Sequence, residues 1–222
     1  MKYAIGILVF FLWLPVASAF SPVVTEIDQP YEIVTLEGKA VEVEQYLGEL
    51  QNYPVMYELT TETAMTLDVQ VYQPYGGDAL KPFSIIAIRK NDRGGGVAEV
   101  GRLAFDQTAW TQYKNPVLGI SLWKSELFSR DVTPGTYRIE ISTPKNTGKY
   151  LISFGSGDDS AGYVASVSGV RTLHSFFGYS VFRMLASSLV YYPLGILLLL
   201  FALQRTWKYR KLILKYPVWG EW

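Results

Sequence analysis

The chain has 222 residues, no cysteine, one histidine and a formal charge of zero, from 20 basic and 20 acidic side chains. Without cysteine it forms neither disulfides nor thiolate metal sites, so an exported domain must be held by its hydrophobic core. Residues 20–165 carry a net charge of −7, from nineteen acidic and twelve basic residues, which argues against nucleic-acid binding because phosphates attract cationic surfaces.

The N-terminal segment is typical of a secretory signal. Lys2 precedes an apolar run at residues 4–14, and the small residues Ala17, Ser18 and Ala19 follow it. Eleven apolar residues are too few to cross the roughly 30 Å hydrocarbon layer as a helix. We therefore predict that residues 1–19 are a cleaved signal peptide, and an uncleaved N-terminal anchor is the alternative.

Residues 20–157 are predicted to be an exported domain, and between Tyr31 and Phe154 apolar and polar side chains alternate in short runs with the period of a strand. In residues 66–73, Leu67, Val69 and Val71 point to one face and the polar residues between them to the other. Comparable runs occupy residues 31–37, 39–45, 54–60, 83–90, 97–103 and 116–123. Short strands separated by Gly, Pro and Asn turns predict a mainly β domain, an antiparallel, jelly-roll-like β-sandwich.

Residues 89–96, RKNDRGGG, combine glycines with cations, as a phosphate-binding loop does. The Gly-Lys-Ser/Thr ending and the following helix of such a loop are missing. We therefore predict a hairpin loop here, and the sequence indicates no cofactor.

Four aromatic residues form the candidate partner-binding surface. They are Trp110, Tyr113, Trp123 and Phe128, with Lys114 and Lys124 among them. Trp and Tyr on a sandwich can bind a sugar or a protein partner, because such side chains dominate binding hot spots. Core packing is the alternative explanation.

Residues 132–155 show the clearest strand pattern. A turn at Pro134 and Gly135 precedes alternating residues 136–142, and a second run follows at 148–154, so we predict a β-hairpin at the end of the sandwich.

Within that stretch, residues 134–137 (PGTY) and 147–151 (TGKYL) resemble the closing strands of bacterial pre-peptidase C-terminal domains. The resemblance implies a small β-sandwich, generally non-catalytic, with a role in binding or secretion. This chain differs in having no attached peptidase and a longer insert. Its overall plan is similar to that of single-pass bacterial envelope proteins.

Residues 158–183 are predicted to be a linker and a helical lead-in to the membrane. Asp158 and Asp159 offer oxygen ligands for calcium, although an EF-hand spacing is missing and a solvated linker is the simpler interpretation. The sole histidine, His174, has no Gly-x-Ser-x-Gly motif to serve, so we predict a contact near the bilayer rather than a catalytic base.

Residues 184–204 are predicted to be the transmembrane helix, since they contain no charged residue and have the required length. A span shifted to begin near residue 191 would place Tyr191 and Tyr192 at one interface and Trp207 and Tyr209 at the other. We favour a start between these two positions.

The tail, residues 205–222, is basic. Its cations are Arg205, Lys208, Arg210, Lys211 and Lys215. The positive-inside rule therefore predicts a cytoplasmic C-terminus and an N-terminal domain outside the cell (plasma or inner) membrane.

Together these features predict a non-catalytic binding or scaffolding module on a single membrane helix. Its expected partners are the lipid bilayer and a protein or glycan outside the cytoplasm, and not nucleic acid. The alternatives are an accessory subunit of an envelope enzyme or transporter, and a glycan-binding module.

Overall fold

The computed structural model describes residues 20–215 apart from residues 28, 37–42, 77–78, 92–95 and 156–161. Within these residues, twelve strands form two sheets that pack face to face, and two α-helices follow them. The predicted class, a mainly β sandwich with an apolar C-terminal helix, is confirmed. The predicted signal peptide, residues 1–19, lies outside the described residues.

The two sheets are built from distant parts of the chain. Among the described residues, sheet A contains, in spatial order, β1 Val23–Val24, β3 Glu44–Gln51, β12 Thr147–Phe154, β5 Met65–Pro74, β9 Ile120–Lys124 and β8 Thr111–Asn115, with β10 Phe128–Val132 also paired to β5. Sheet B contains β2 Ile33–Thr35, β4 Val55–Thr61, β11 Gly135–Ser142, β6 Ser84–Lys90 and β7 Val97–Leu103. The described pairs are antiparallel except β1 with β3 and β2 with β4, which are parallel.

Alternation along the strands creates the core between the sheets. On β11, Tyr137, Ile139 and Ile141 are buried, whereas Arg138 and Glu140 are half-buried on the other face. Burying a side chain of this size stabilises the fold by about 1.5–3 kcal/mol. The strand period read from the sequence therefore corresponds to the main source of stability.

The predicted hairpin at residues 136–142 and 148–154 is wrong. β11 lies in sheet B between β4 and β6, and β12 lies in sheet A between β3 and β5. The connection crosses between the sheets through a turn in which Asn146 has φ 46° and its backbone N–H donates to the carbonyl of Thr143 at 2.9 Å. Alternation identifies the buried face of a strand but not its neighbours, so the sequence located both strands and missed the crossing.

The predicted strand at residues 116–123 begins only at Ile120. Residues 116–119, called the junction turn below, connect β8 to β9. The Asn115 side chain accepts a hydrogen bond from the Val117 N–H at 2.8 Å, and Gly119 has φ 67°. An Asn-initiated turn with glycine in the left-handed region is a standard way to reverse a chain.

The structure describes parts of two other predicted segments. The strand expected at residues 39–45 begins at Glu44, and residues 37–42 lie outside the described part. The hairpin expected at residues 89–96 is confirmed, because β6 pairs with β7 and the Asn91 N–H donates to the Gly96 carbonyl at 3.0 Å.

Helix α1, Tyr163–Phe176, covers the outer face of sheet A and makes a third layer. Val170 and Leu173 pack there against Leu47 and Leu151 of the sheet. A 3₁₀ turn, Val181–Ala186, then leads to the long helix α2, Ser188–Lys215. Helix α2 thus begins between the two starts considered from sequence, residues 184 and 191.

Candidate functional site

The four predicted binding aromatics do not share one surface. Trp110 and Phe128 are buried in the core between the sheets, where the space beside Trp110 is about 10 Å³. Tyr113 pairs with Leu122 across β8 and β9, so it lies on the opposite face of sheet A from the adjacent Trp123. A single aromatic platform for a partner is therefore not formed by these residues.

The two partly buried aromatics have separate neighbours. Tyr113 lies 5.8 Å from the ring of Tyr72, and the ammonium of Lys124 lies 5.4 Å from its ring centroid. Trp123 packs on Tyr75 with ring centroids 4.7 Å apart. Because Tyr75 lines a surface cleft described below, Trp123 acts as the support of that cleft's wall.

The start of helix α2 is bonded to the sandwich. The Ser188 N–H donates to the carbonyl of Pro116 at 2.8 Å, and the Ser187 hydroxyl donates to the carbonyl of Val117. The next carbonyl, of Leu118, accepts from His174 Nε2 at 2.7 Å. Three successive carbonyls of the junction turn therefore hold helices α1 and α2, and we call this contact the junction.

A fourth bond at the junction compensates for a proline. Pro193 lies inside helix α2 and lacks the N–H that would bond the carbonyl of Leu189, four residues earlier. The hydroxyl of Tyr163, at the start of α1, donates to that carbonyl at 2.6 Å. Leu189 itself is buried against the sandwich.

Gly119 allows the junction to close. A Cβ built on Gly119 would lie 2.6 Å from the backbone nitrogen of Ser187 and 2.7 Å from the carbonyl carbon of Ala186. A side chain at position 119 would therefore push the start of helix α2 away from the turn.

Beyond the junction, helix α2 is apolar and exposed. Its segment Ser188–Arg210 is long and apolar enough to cross a membrane, and 6% of its most apolar window is buried. Twenty-three residues span about 35 Å at 1.5 Å per residue, more than the roughly 30 Å hydrocarbon layer.

Aromatic residues flank the apolar segment of helix α2. Tyr191 and Tyr192 are exposed near its start, and Trp207 and Tyr209 lie near its end, about 24 Å further along the axis. Arg205 lies 5.1 Å from the Tyr209 ring centroid and Arg210 lies 5.6 Å from that of Trp207.

The predicted tail cations fall on the last part of helix α2. Lys208 is exposed, as are Arg205 and Arg210. Lys211 and Lys215 belong to the helix backbone, and the structure describes nothing of their side chains.

His174 is a core residue of the outer layer rather than an interfacial side chain. It is 1% exposed, and Nδ1, the nitrogen not bonded to Leu118, has no hydrogen-bond partner among the described residues. Burial lowers the pKa of His174, and the positive charge of Arg183 lowers it further. The ring is therefore neutral and inaccessible to a substrate.

A cleft of about 620 Å³ lies between one end of the central strands of sheet A and the segment that joins helix α1 to the 3₁₀ turn. Its charged and aromatic walls include Glu49, Tyr75, Lys81, Lys149, Phe177, Tyr179 and Arg183. Pockets for small ligands have volumes of about 300–1,000 Å³, so this cleft can hold a headgroup- or sugar-sized molecule.

The polar groups of the cleft are held in place by their neighbours. The buried side chain of Gln73 accepts from the Lys81 N–H at 2.8 Å and donates to the Lys81 carbonyl at 3.0 Å. The ring of Tyr179 lies 4.8 Å from the Arg183 guanidinium. Burial raises the pKa of Tyr179, which keeps its hydroxyl protonated and able to donate a hydrogen bond.

Neither the cleft nor the junction was identified from sequence, although helix α1 carried a readable signal. Its buried residues Ser166, Gly169, Val170, Leu173 and His174 recur at intervals of three and four, the period of one helix face. The cleft, by contrast, brings together residues separated by about a hundred positions and has no local pattern.

The calcium hypothesis at Asp158 and Asp159 falls outside the described residues. Within the part that the structure describes, no group of three or more His, Cys, Asp and Glu side chains is placed to hold a metal ion.

A scan against protein-family models finds no match for the chain, and a search of curated proteins finds none either. Similar solved structures include the pre-peptidase C-terminal domain of collagenase from Bacillus anthracis, at 14% identity and TM-score 0.35, covering 58% of this chain and 98% of that domain. They also include the Yersinia pseudotuberculosis-derived mitogen, at 16% identity and TM-score 0.34, covering 55% of this chain and 91% of that one.

The first of these structures belongs to the family that residues 134–137 and 147–151 resemble. Both similarities are distant, so the assignment of a sandwich rests on the two packed sheets themselves.

Proposed function

We propose that the protein is a non-catalytic, single-pass module of the cell membrane, with its sandwich outside and its C-terminus in the cytoplasm. In this proposal the sandwich binds or scaffolds a partner at the outer membrane surface, and the cleft is its binding site. An accessory role beside an envelope enzyme or transporter uses the same geometry.

The junction is the observation that carries the proposal. A mobile linker would let a tethered domain sample many orientations, whereas bonds from Ser187, Ser188 and Tyr163 fix the helix start to the sandwich. A cleft whose walls include residues 177–183 is thereby held beside the first turns of helix α2.

Two further observations support the topology and the absence of catalysis. Arg205, Lys208 and Arg210 follow the apolar part of helix α2, which favours a cytoplasmic tail. His174, the only histidine of the chain, is buried and bonded to a backbone carbonyl, so it does not serve as a general base for a bound substrate.

Site-specific photocrosslinking in intact cells tests this function. A photoreactive phenylalanine analogue replaces Tyr75 or Tyr179 in the cleft, and the same analogue at Tyr31, 73% exposed and outside the cleft, is the control. We expect a species captured at the cleft positions and not at position 31. Identical captures at all three positions, or turnover of an envelope substrate by the purified chain, would refute the proposal.

A further inference from the structure

Three cations line the cleft, and two of them have no ionic partner among the described residues. The paired cation is Lys149, which lies 3.8 Å from the carboxylate of Glu49 and donates to the Phe176 carbonyl at 2.8 Å. Lys81 and Arg183 line the same cleft and form no salt bridge with any described residue. Among the described lining residues three cations face one anion, Glu49, so the cleft carries a net positive charge on a domain that is acidic as a whole.

We propose that this cleft binds a phosphate-ester anion, namely the headgroup of an anionic lipid in the outer leaflet of the membrane that the protein spans. The inference rests on the proposed function, because it takes the cleft to lie at the outer membrane surface. It assigns the ligand class that the proposed function leaves open.

The position of Arg183 matches the depth of lipid headgroups. Arg183 precedes Ser188, the first residue of helix α2, by five positions; three of these steps rise about 2 Å each in the 3₁₀ turn and two are extended, so the separation is at most about 13 Å, and the guanidinium adds its own reach. The headgroup layer on each side of a bilayer is about 5–8 Å thick. A guanidinium on this turn is therefore within reach of lipid phosphates when the apolar helix fills the hydrocarbon core.

The same 3₁₀ turn exposes two apolar side chains. Phe182 is 77% exposed and Leu185 is 52% exposed. Side chains three residues apart in a 3₁₀ turn lie on one side, so these two share a face and Arg183 lies on another. The turn thus presents an apolar face to the interface and a cation to the cleft.

The donors in the cleft suit a phosphate. The Arg183 guanidinium offers planar donors that bind two phosphate oxygens, and its contact with the Tyr179 ring limits its freedom. Lys81 adds a compact charge whose backbone is held by Gln73. The rings of Tyr75 and Phe177 supply apolar surface for the glycerol portion of a lipid.

Calorimetry on the full chain tests the inference. The chain is placed in phosphatidylcholine nanodiscs and titrated with dihexanoyl phosphatidylglycerol, dihexanoyl phosphatidylcholine or glycerol phosphate, and empty nanodiscs correct for partitioning. We expect phosphatidylglycerol to bind at least tenfold more tightly than phosphatidylcholine. R183Q and K81Q should each weaken that binding about tenfold, and R130Q, at an exposed cation of β10 outside the cleft, should leave it unchanged.

The results show both whether the cleft binds a phosphate ester and whether that group belongs to a lipid. Equal affinities for the two lipids, or unchanged phosphatidylglycerol binding in the R183Q/K81Q double variant with an unchanged melting curve, would overturn the inference. Glycerol phosphate binding as tightly as the lipid would overturn the lipid source. A protein or glycan captured specifically at Tyr75 or Tyr179, without lipid binding, would overturn this inference and leave the proposed function standing.

Discussion

His174 is one residue through which pH acts on this structure. Its Nε2 bonds the junction turn, and its ring lies 5.9 Å from that of Tyr179 in the cleft wall. Burial lowers its pKa below the ordinary 6.5, and Arg183 is the charged group that adds to this effect. Protonation would add the proton at Nδ1, which is buried and has no hydrogen-bond partner among the described residues, and would thus place a charge in the outer core.

The sign of the pH effect follows from the lowered pKa. Below about pH 6.5 the unfolded chain takes up a proton at His174 before the folded chain does, so stability falls as the pH falls toward the folded pKa. We expect the melting temperature to drop more between pH 7.5 and 5.5 in the native chain than in H174Q, whose amide can still donate to Leu118. Equal drops in the two proteins would contradict this explanation.

The hydrogen bond from Tyr163 to the carbonyl that Pro193 leaves without a donor gives a second prediction. Removing the Tyr163 hydroxyl leaves the Leu189 carbonyl without a donor, which costs about 1–3 kcal/mol of unfolding free energy. In a P193A background, the introduced alanine supplies the missing backbone N–H, so Y163F should cost much less there. A double-mutant cycle on thermal unfolding in nanodiscs measures the difference, and an equal cost in both backgrounds would show that the two residues are not coupled.

At the scale of elements, the junction turn bonds the start of helix α2 to the sandwich. Gly119→Ala combines a positive φ with a backbone clash, whereas Gly178→Ala has a positive φ of 76° and open space around it. The first should lower the unfolding free energy by about 3 kcal/mol and the second by about 1 kcal/mol. Thermal unfolding of both variants checks this, together with proteolysis between the sandwich and α2, which should increase for the first alone. Equal losses of stability in the two variants would mean that the junction does not depend on the close approach of Gly119 to the backbone of Ala186 and Ser187.

The sequence predicted the strands that bury one face and leave the other face more exposed. Residues 54–60 and 66–73 alternate cleanly because sheet B and sheet A each bury one side of those strands in the central core. Strand partners were not predictable, as the crossing from β11 to β12 demonstrates, because pairing depends on tertiary packing. The packing of helix α1 on sheet A was missed although its buried residues follow a helical period, since the surrounding residues read as a polar linker.

At the scale of the whole molecule, the apolar helix was readable from sequence because a bilayer imposes a length of uninterrupted apolar residues. The cleft was not readable, because Lys81, Lys149 and Arg183 come from a loop, a strand and a 3₁₀ turn. The positions of the predicted aromatic residues were likewise not readable from local sequence. Trp110 lies in the core, and Trp123 packs against Tyr75.

We propose that helix α2 holds the sandwich against the outer face of the membrane. Because the chain has no cysteine, single substitutions report accessibility without background. Glu62, exposed between β4 and β5, and Lys208, exposed near the end of α2, are each replaced by cysteine and treated with a membrane-impermeant maleimide in intact cells. We predict labelling at position 62 and none at position 208 until the cells are opened. Labelling at position 208 with protection at position 62 would contradict the account.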